Sequence, residues 1–437
     1  MKVLLIGHAC NPNWGSEPAF TWNWAWHLSQ KHEVWVLTHP WGREQIESFL
    51  ALHPNPNLHF VWVRLPGRLA WDPARHKRVS AWRYILWQKE ALRQAQRLQR
   101  QIGFHIVHHV SWGTVSEPPP FWRVPVPFVW GPVGGGQVTP PSVRSYLGGA
   151  AKAEWLRDYR MRLITFRPAL RKAVRKSAMI LATNDETAQL LAKAGASRVR
   201  LFLDTGISED FLPDQAPKRV PGRLLSLLWA GRLQPRKCLP LALEALAQCK
   251  DISVRLMVAG KGALKEEWKS RSHELGLGSR VEFLGQVDYK QMPALYRSAD
   301  AFIFTSVRDA FGSQVLEAMA SGLPIIALDH QGVRAFVPDT AGIKIPVSDP
   351  REIVSRFASA IHFLACSPKA RMEMGLASWE FARSQTWRRR AELMSSWYEQ
   401  IIGERPKRFA TDNAAMRHSS DLANLASTDS EVGRHIA

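Results

Sequence analysis

The chain has 437 residues, 46% of them hydrophobic, with 58 Lys and Arg against 38 Asp and Glu for a formal charge of +20. That composition excludes a disordered, collagen-like or membrane-spanning chain, and the length suffices for two domains, each with its own core. The 4 Cys (Cys10, Cys238, Cys249, Cys366) include no Cys-x-x-Cys pair, so neither a disulfide framework nor a zinc ribbon is indicated.

Taken in order, short apolar runs alternate with longer helical stretches. Strands are predicted at residues 2–7, 33–38, 58–63, 105–109, 127–130 and 179–183, and again at 224–230, 254–260, 281–285, 301–305 and 324–327. Their near-continuous apolarity predicts strands covered on both faces, and the alternation predicts an α/β fold of two Rossmann-like, doubly wound domains facing a cleft. The first domain is expected over 1–212, a Pro-rich linker (PDQAPKRVPGR) over 213–223 and the second domain over 224–386. A basic, aromatic helix at 387–402 is expected to return to the first domain, and a polar, aperiodic tail at 403–437 to be disordered. The opening apolar run is too short for a secretory core, and no window approaches the ~18 apolar residues of a membrane span, so a cytoplasmic location is expected.

The charge is uneven. Arg64 to Arg100 holds 10 basic and 2 acidic residues, Arg144 to Lys176 repeats that count, and 403–437 is balanced at 5 and 5. Trp82, Tyr84, Trp87, Tyr146, Trp155, Tyr159 and Phe166 are interleaved with these cations. Solvated helix faces are the plain explanation. The aromatic residues favour an anionic membrane surface, where each basic residue contributes about 1 kcal/mol. Nucleic acid ranks lower, because no nucleic-acid fold signature accompanies the charge.

In doubly wound sheets ligands bind beyond the carboxyl ends of the strands, so the loops there are where chemistry is expected. In the loop from His8 to Pro18, Gly15 and Ser16 are placed to offer backbone N–H groups to an anion. In LWAGRLQPRK, Arg232 and Lys237 follow Gly231 on the loop between a buried strand and a helix, and a diphosphate is their natural occupant. In VAGKG, Gly260 and Gly262 permit close backbone approach to a ligand, and Phe283 and Gly285 end the next strand where a nucleobase has room to lie. The segment 301–329 carries Asp309, then Phe311, Gly312 and Ser313 opening a helix that bears Glu317. Between Leu316 and Ala318, Glu317 needs a hydrogen-bond partner, and a ribose diol would serve. Helix capping is the alternative role for Asp309.

Together, Gly231-Arg232-x4-Lys237, the G-x-G after the next strand, and acid-x7-Glu followed by A-M-A-x-G-x-P resemble the retaining glycosyltransferases of family 4 (glycosyl transferases group 1), which have the GT-B fold. The resemblance implies transfer of a sugar from a nucleoside diphosphate sugar to an acceptor hydroxyl with retention, in glycan, exopolysaccharide or glycolipid biosynthesis. The acceptor, a glycan or a lipid-linked one, would sit on the first domain and the nucleotide sugar on the second. Arg232 and Lys237 would hold the diphosphate, Glu317 the ribose, and Asp309 with the backbone at Gly312 and Ser313 the donor sugar. Gly15, Ser16, Gly231, Gly260, Gly262, Phe283, Gly285 and Phe311 complete the expected donor-binding set. Two positions depart from the family pattern: Asp309 stands where Glu is usual, and Lys237-Cys238 replaces Lys-Gly. IVHHVSWG resembles the family's strand ending in a histidine beside the sugar. His108 and His109 are adjacent there, which leaves the assignment open between them; because successive strand residues point oppositely, His109 is the one expected to face the cleft, with a lone structural histidine as the alternative. WGPVGGGQ, from Trp130 to Gln137, is expected to be a mobile cleft loop around the acceptor. The resemblance implies no metal and no other cofactor, and the chain has no Asp-x-Asp triplet, which is consistent with that. The enzyme would be peripheral on the inner face of the membrane. The alternative is a non-catalytic membrane- or nucleic-acid-associated protein that kept the fold.

Overall fold

Two parallel sheets organise the chain. The computed structural model describes residues 1–15, 17–65, 80–217, 222 and 224–404. The first sheet holds β1 (Lys2–Ile6), β2 (Glu33–Thr38), β3 (Leu58–Trp62), β4 (Ile106–His109), β5 (Phe128–Val133), β6 (Met179–Ala182) and β7 (Val199–Leu201), in the order β3-β2-β1-β4-β5-β6-β7. The second holds β8 (Leu225–Ala230), β9 (Val254–Ala259), β10 (Val281–Gly285), β11 (Ala301–Phe304), β12 (Ile325–Asp329) and β13 (Gly342–Pro346), in the order β10-β9-β8-β11-β12-β13. Around the first sheet lie α1 (Glu17–Leu28), α2 (Arg43–Leu52), α3 (Ala81–Ile102), α4 (Ala151–Leu163), α5 (Pro168–Lys176) and α6 (Asp185–Lys193). The second domain adds α7 (Leu239–Gln248), α8 (Lys265–Glu274), α9 (Met292–Arg297), α10 (Ser313–Ala320), α11 (Gln331–Phe336), α12 (Pro350–Cys366) and α13 (Pro368–Ser384), and α14 (Trp387–Gly403) follows.

The strands form where apolar side chains serve two cores at once. In β8, Leu225, Leu227 and Trp229 enter one core with Val254, Leu256 and Val258 of β9, while Leu228 and Ala230 enter another with Met257 and Ala259. In the first sheet, Leu4 and Ile6 face a core built on α3, and Val3 and Leu5 face one completed by α14. The apolar runs do not announce β7 or β13. The former is three residues long, and the latter (GIKIP) carries Lys344 and ends in proline, both acceptable only at the sheet edges where these strands lie.

The helix α14 packs on the first domain. Trp387, Ala391, Met394, Trp397, Tyr398 and Ile401 recur at helical spacing and are buried against its sheet, and the Thr386 side chain caps the start by accepting from the Arg389 amide at 3.4 Å. Of the expected features, Ser16, residues 66–79 of the first basic window, linker residues 218–221 and 223, and the tail beyond Glu404 lie outside the described residues. Among the described residues no helix is long and apolar enough to cross a membrane.

In each sheet the strand order reverses beside the first strand, so that β1 pairs with β4 and β8 with β11. The loops leaving those strands diverge around a crevice, and the two crevices face one another across the domain boundary.

Candidate active site

Because β8 pairs with β11, the loops after them meet. Thr305 Oγ1 donates to the Lys237 carbonyl at 2.9 Å and the Val307 amide to the Arg236 carbonyl at 2.8 Å, which fixes the turn at Pro235–Lys237 against the β11 loop. Their side chains converge. Buried Lys237 donates to Asp309 Oδ2, Arg236 Nη1 reaches the same oxygen at 3.0 Å, and Ser306 Oγ lies 3.3 Å away. Burial alone would push the Asp309 carboxyl up; Lys237 and Arg236 override it and hold the group well below the usual carboxylate range. Cys238 sits at φ +48°, in the left-handed region that favours glycine, which accounts for the Lys-Gly pattern from which this chain departs.

This floor opens into a cleft of about 1090 Å³ between the domains. Of the expected residues, Gly15, Gly231, Arg232, Lys237, Gly260, Asp309, Gly312, Ser313 and Glu317 line it. Gly312, at φ +98°, turns the chain into α10. Glu317 does have hydrogen-bond partners, and they are protein groups: the Tyr296 hydroxyl donates at 2.8 Å and Tyr289 also donates. Burial nonetheless raises the Glu317 carboxyl to about 7, against the pull of those two bonds.

Other expectations require correction. His109 does not face the cleft. Successive residues of β4 do point oppositely, but both faces are covered. His108 meets Tyr398 Oη of α14 at 2.5 Å and the Gly131 carbonyl at 2.7 Å. His109 meets Tyr84 Oη of α3 at 2.9 Å and stacks on Phe121. Burial pushes the His109 imidazole down to about 3, so it is neutral, and the cleft begins past the strand's end, at Val110 and Gly113. Phe283 turns to the opposite face of its sheet and packs on the Trp229 core, leaving Gln286, Val287 and Tyr289 to line the cleft there. Phe311 is buried edge-on to Phe336. The G-x-G glycines allow close approach of backbone to backbone: a Cβ on Gly260 would stand 1.8 Å from the Gly231 carbonyl oxygen, and one on Gly262 2.1 Å from that of Leu233. Gly262 and Gly285 do not line the cleft, Gly285 instead accepting from the Gly260 amide at 2.7 Å. The glycine-rich loop is clamped: Arg157 donates to the Gly135 and Gln137 carbonyls at 2.8 and 2.9 Å, and a Cβ at Gly134, Gly135 or Gly136 would strike Thr183, Thr114 or Thr187.

Sequence reasoning missed Arg236, Lys261, Tyr289, Glu17 and Asp204, all of which line the cleft. Arg236 stands inside the motif already singled out. Asp204 follows β7, the strand that went unrecognised, and its carboxyl is raised to about 6 by burial and by the charge of Asp309. Glu17, at the start of α1, accepts from the Gly113 amide at 3.2 Å, and burial raises it too. The domains are pinned together beside the floor. Arg308 donates twice to Glu154 of α4, each bond 2.8 Å, and Gln331 accepts from the Asp309 amide at 2.7 Å while donating to the Val138 carbonyl at 3.0 Å. Among the described residues no group of three His, Cys, Asp or Glu side chains is placed to hold a metal ion.

The floor of the cleft lies beyond the carboxyl ends of β8 and β11, within the part of the chain that matches a known family. Residues 214–374 match the family model of glycosyl transferases group 1. The second domain belongs to that family. Similar curated proteins are the D-inositol 3-phosphate glycosyltransferases of Corynebacterium glutamicum, 28% identical over 192 residues (42% of this chain, 45% of the relative), and Mycobacterium bovis, 29% over 241 residues (52% and 49%). The chain therefore spans about half the length of the curated relatives it matches. Sucrose-phosphate synthase from Thermosynechococcus elongatus superposes with a TM-score of 0.66 at 18% identity, over 92% of this chain and 100% of that one. The lipopolysaccharide outer core galactosyltransferase WaaB gives 0.62 at 14%, over 91% and 100%, and Anabaena HepE, solved in complex with UDP, gives 0.60 at 16% over the same shares. These likenesses establish the fold as GT-B. The group 1 domain contributes every lysine and arginine that lines the cleft among the described residues: Arg232, Arg236, Lys237 and Lys261.

Proposed function

We propose that this protein transfers a sugar from a nucleoside diphosphate sugar to an acceptor hydroxyl, with retention at the anomeric carbon and without a metal ion. The observation that carries the reading is the convergence of Lys237 and Arg236 on one point below β8 and β11, with Arg232 beside them on the cleft wall. There the donor diphosphate displaces Asp309 from the cations. As the bond from the anomeric carbon to the diphosphate oxygen breaks, the growing negative charge falls among preorganised cations at a partly dehydrated site, where such stabilisation is strongest. The acceptor oxygen bonds to the same face of the anomeric carbon, and its proton passes to the departing diphosphate. Glu317, held by Tyr289 and Tyr296, takes the ribose diol, and Asp309, once released, meets the donor sugar.

The product belongs to a glycan, exopolysaccharide or glycolipid, made on the cytoplasmic side of a membrane to which α4 docks. What supports the docking is that Trp155, Leu156, Tyr159, Leu163 and Phe166 are exposed among exposed Lys152, Arg160, Arg162 and Arg167. The deciding experiment measures nucleoside diphosphate released from UDP- and GDP-sugars, with and without EDTA. Release that needs both enzyme and acceptor and survives chelation is expected. Release that stops with chelation would overturn the metal-free mechanism, and no release from any donor would favour the non-catalytic alternative.

A further inference from the structure

Asp309 belongs to the second domain, but much of what holds its backbone comes from the first. Val143 and Leu147, just ahead of α4, are buried in the second-domain core with Trp229 and Leu239, and Tyr146 Oη donates to Glu244 of α7 at 2.6 Å. This docking lays α4 beside the floor. Glu154 accepts both bonds of the Arg308 fork, and Arg157, one turn further along α4, holds the carbonyls of Gly135 and Gln137. Gln331 grips from the other side: its Oε1 accepts from the Asp309 amide while its Nε2 donates to the carbonyl of Val138, the residue after Gln137. Ala310 abuts the same glycine-rich loop, since a Cβ on Gly134 would stand 3.4 Å from its own Cβ. Arg308, Asp309 and Ala310 are thus each tied to the first domain. Gln331 is 3% exposed and sits at φ +52°, a left-handed conformation that persists in a side-chain-bearing residue where its surroundings over-determine it.

An aspartate carboxylate hangs one methylene from the main chain, so its reach is set by its backbone. With the floor empty, Asp309 neutralises Lys237 and Arg236; in the proposed reaction it yields to a diphosphate and then meets the donor sugar. Both tasks need a backbone that does not drift. We infer that Glu154 and Gln331 are positioning residues for Asp309, the one acting through Arg308 and the other through the Asp309 amide. Through them the first domain sets how firmly the counter-ion is held on the floor. The inference rests on the proposed place of the diphosphate. Loosening either grip lets the carboxylate leave the cations more readily, so an anion binds more tightly. The same looseness costs transfer, because a reacting group that has lost its orientation is less effective.

The test uses the full chain, titrated calorimetrically with UDP, GDP and inorganic pyrophosphate, and takes nucleotide release from UDP- and GDP-sugars as the measure of transfer. Glu154→Gln keeps the shape of the side chain without its charge, and Gln331→Gly removes the bridge at a φ that suits glycine, so both variants should fold. Each should bind the tightest of the three anions about threefold more tightly and lower kcat about tenfold. Combined with Asp309→Asn, neither should change affinity by more than about twofold, because the counter-ion whose release they ease is gone. A purely structural role would weaken binding or leave it unchanged, alike with Asp309 and with Asn in its place, and that result would overturn the inference. So would a gain in affinity that persists beside Asp309→Asn, which in Glu154→Gln would trace to the freed charge of Arg308. No binding of any of the three anions to the wild type would overturn it as well. Failure of the glycosyltransferase reading is separable: a wild type that binds an anion but releases nucleotide from no sugar donor refutes that reading, while the affinity comparison still decides the inference.

Discussion

Lys237 and Asp309, 72 residues apart in sequence, share a buried ion pair on the floor of the cleft, and Arg236 completes it at 3.0 Å. The cations suited to a diphosphate thus have a resident counter-ion. The pairing follows from topology: β8 and β11 are hydrogen-bonded neighbours, so the residues just beyond them are forced together. One methylene shorter than the glutamate usual in the family pattern, Asp309 is positioned close against Lys237.

If Asp309 competes with diphosphate for Lys237 and Arg236, removing its charge separates binding from chemistry. The nearly isosteric Asp309→Asn variant should bind free nucleoside diphosphate about tenfold more tightly, a gain of about 1.4 kcal/mol, while sugar transfer falls on the order of 10²-fold. Lys237→Ala should lose both. Calorimetric titration alongside a turnover assay reads the split, and unchanged affinity in Asp309→Asn would place the diphosphate elsewhere.

Glu317 makes stability depend on pH. Its carboxyl is raised from 4.5 to about 7 in the folded state, so between those values the folded protein holds a proton that the unfolded chain has released. Stability in this respect is greatest below about 4.5, falls as pH rises through 7, and levels off above. Urea unfolding of Glu317→Gln at pH 5 and pH 8 should show the difference between the two pH values reduced by roughly 1–3 kcal/mol relative to wild type. A slope identical to wild type would show that Glu317 is ionised throughout.

His109 should prove structural. Truncation to alanine removes its bond to Tyr84 and leaves a cavity beside Phe121, at a cost of about 3 kcal/mol. Thermal melts should fall accordingly, while turnover per folded molecule at low temperature stays within about twofold. A loss of turnover on the order of 10²-fold with an intact melt would return the residue to the cleft.

Strands such as β8 and β11 are legible in the sequence because burial on both faces leaves an unbroken apolar signature, and the motifs that follow them inherit that certainty. What fails is direction. The alternation rule for His108 and His109 is correct, but it presumes that one face of β4 is open, and only tertiary packing reveals that α3 and α14 cover both. Phe283 fails in the same way, its parity placing it on the Trp229 side of the sheet. The glycines at 260 and 262 read correctly as sites of close approach, yet sequence cannot say that the approaching group is protein backbone. Asp204 and Glu17 go unseen because a lone acid, in the loop after β7 or in the first turn of α1, carries no periodicity.

The +20 charge now has a structural partition, and it sets the last expectation. In the second basic window Arg144 pairs with Asp158 at 2.9 Å, and Arg157 is committed to the glycine-rich loop. Lys152, Arg160, Arg162 and Arg167 remain exposed, beside Trp155 and Tyr159, whose rings stack one turn apart at 5.9 Å, and Phe166, 68% exposed. Each such cation contributes about 1 kcal/mol near an anionic surface, and the rings add interfacial partitioning. The protein should therefore co-sediment with phosphatidylserine vesicles and not with phosphatidylcholine ones. Raising salt from about 0.1 to 1 M, which shortens the screening length from ~10 to ~3 Å, should release it. Arg160→Ala with Arg162→Ala should weaken vesicle binding by about tenfold or more, and Trp155→Ser with Phe166→Ser should abolish what survives at intermediate salt. Nucleotide binding should change less with salt than vesicle binding, because Lys237 on the floor is buried and Arg236 partly so, while the cations of the second basic window are exposed. Vesicle binding that ignores both salt and these substitutions would remove α4 from the membrane.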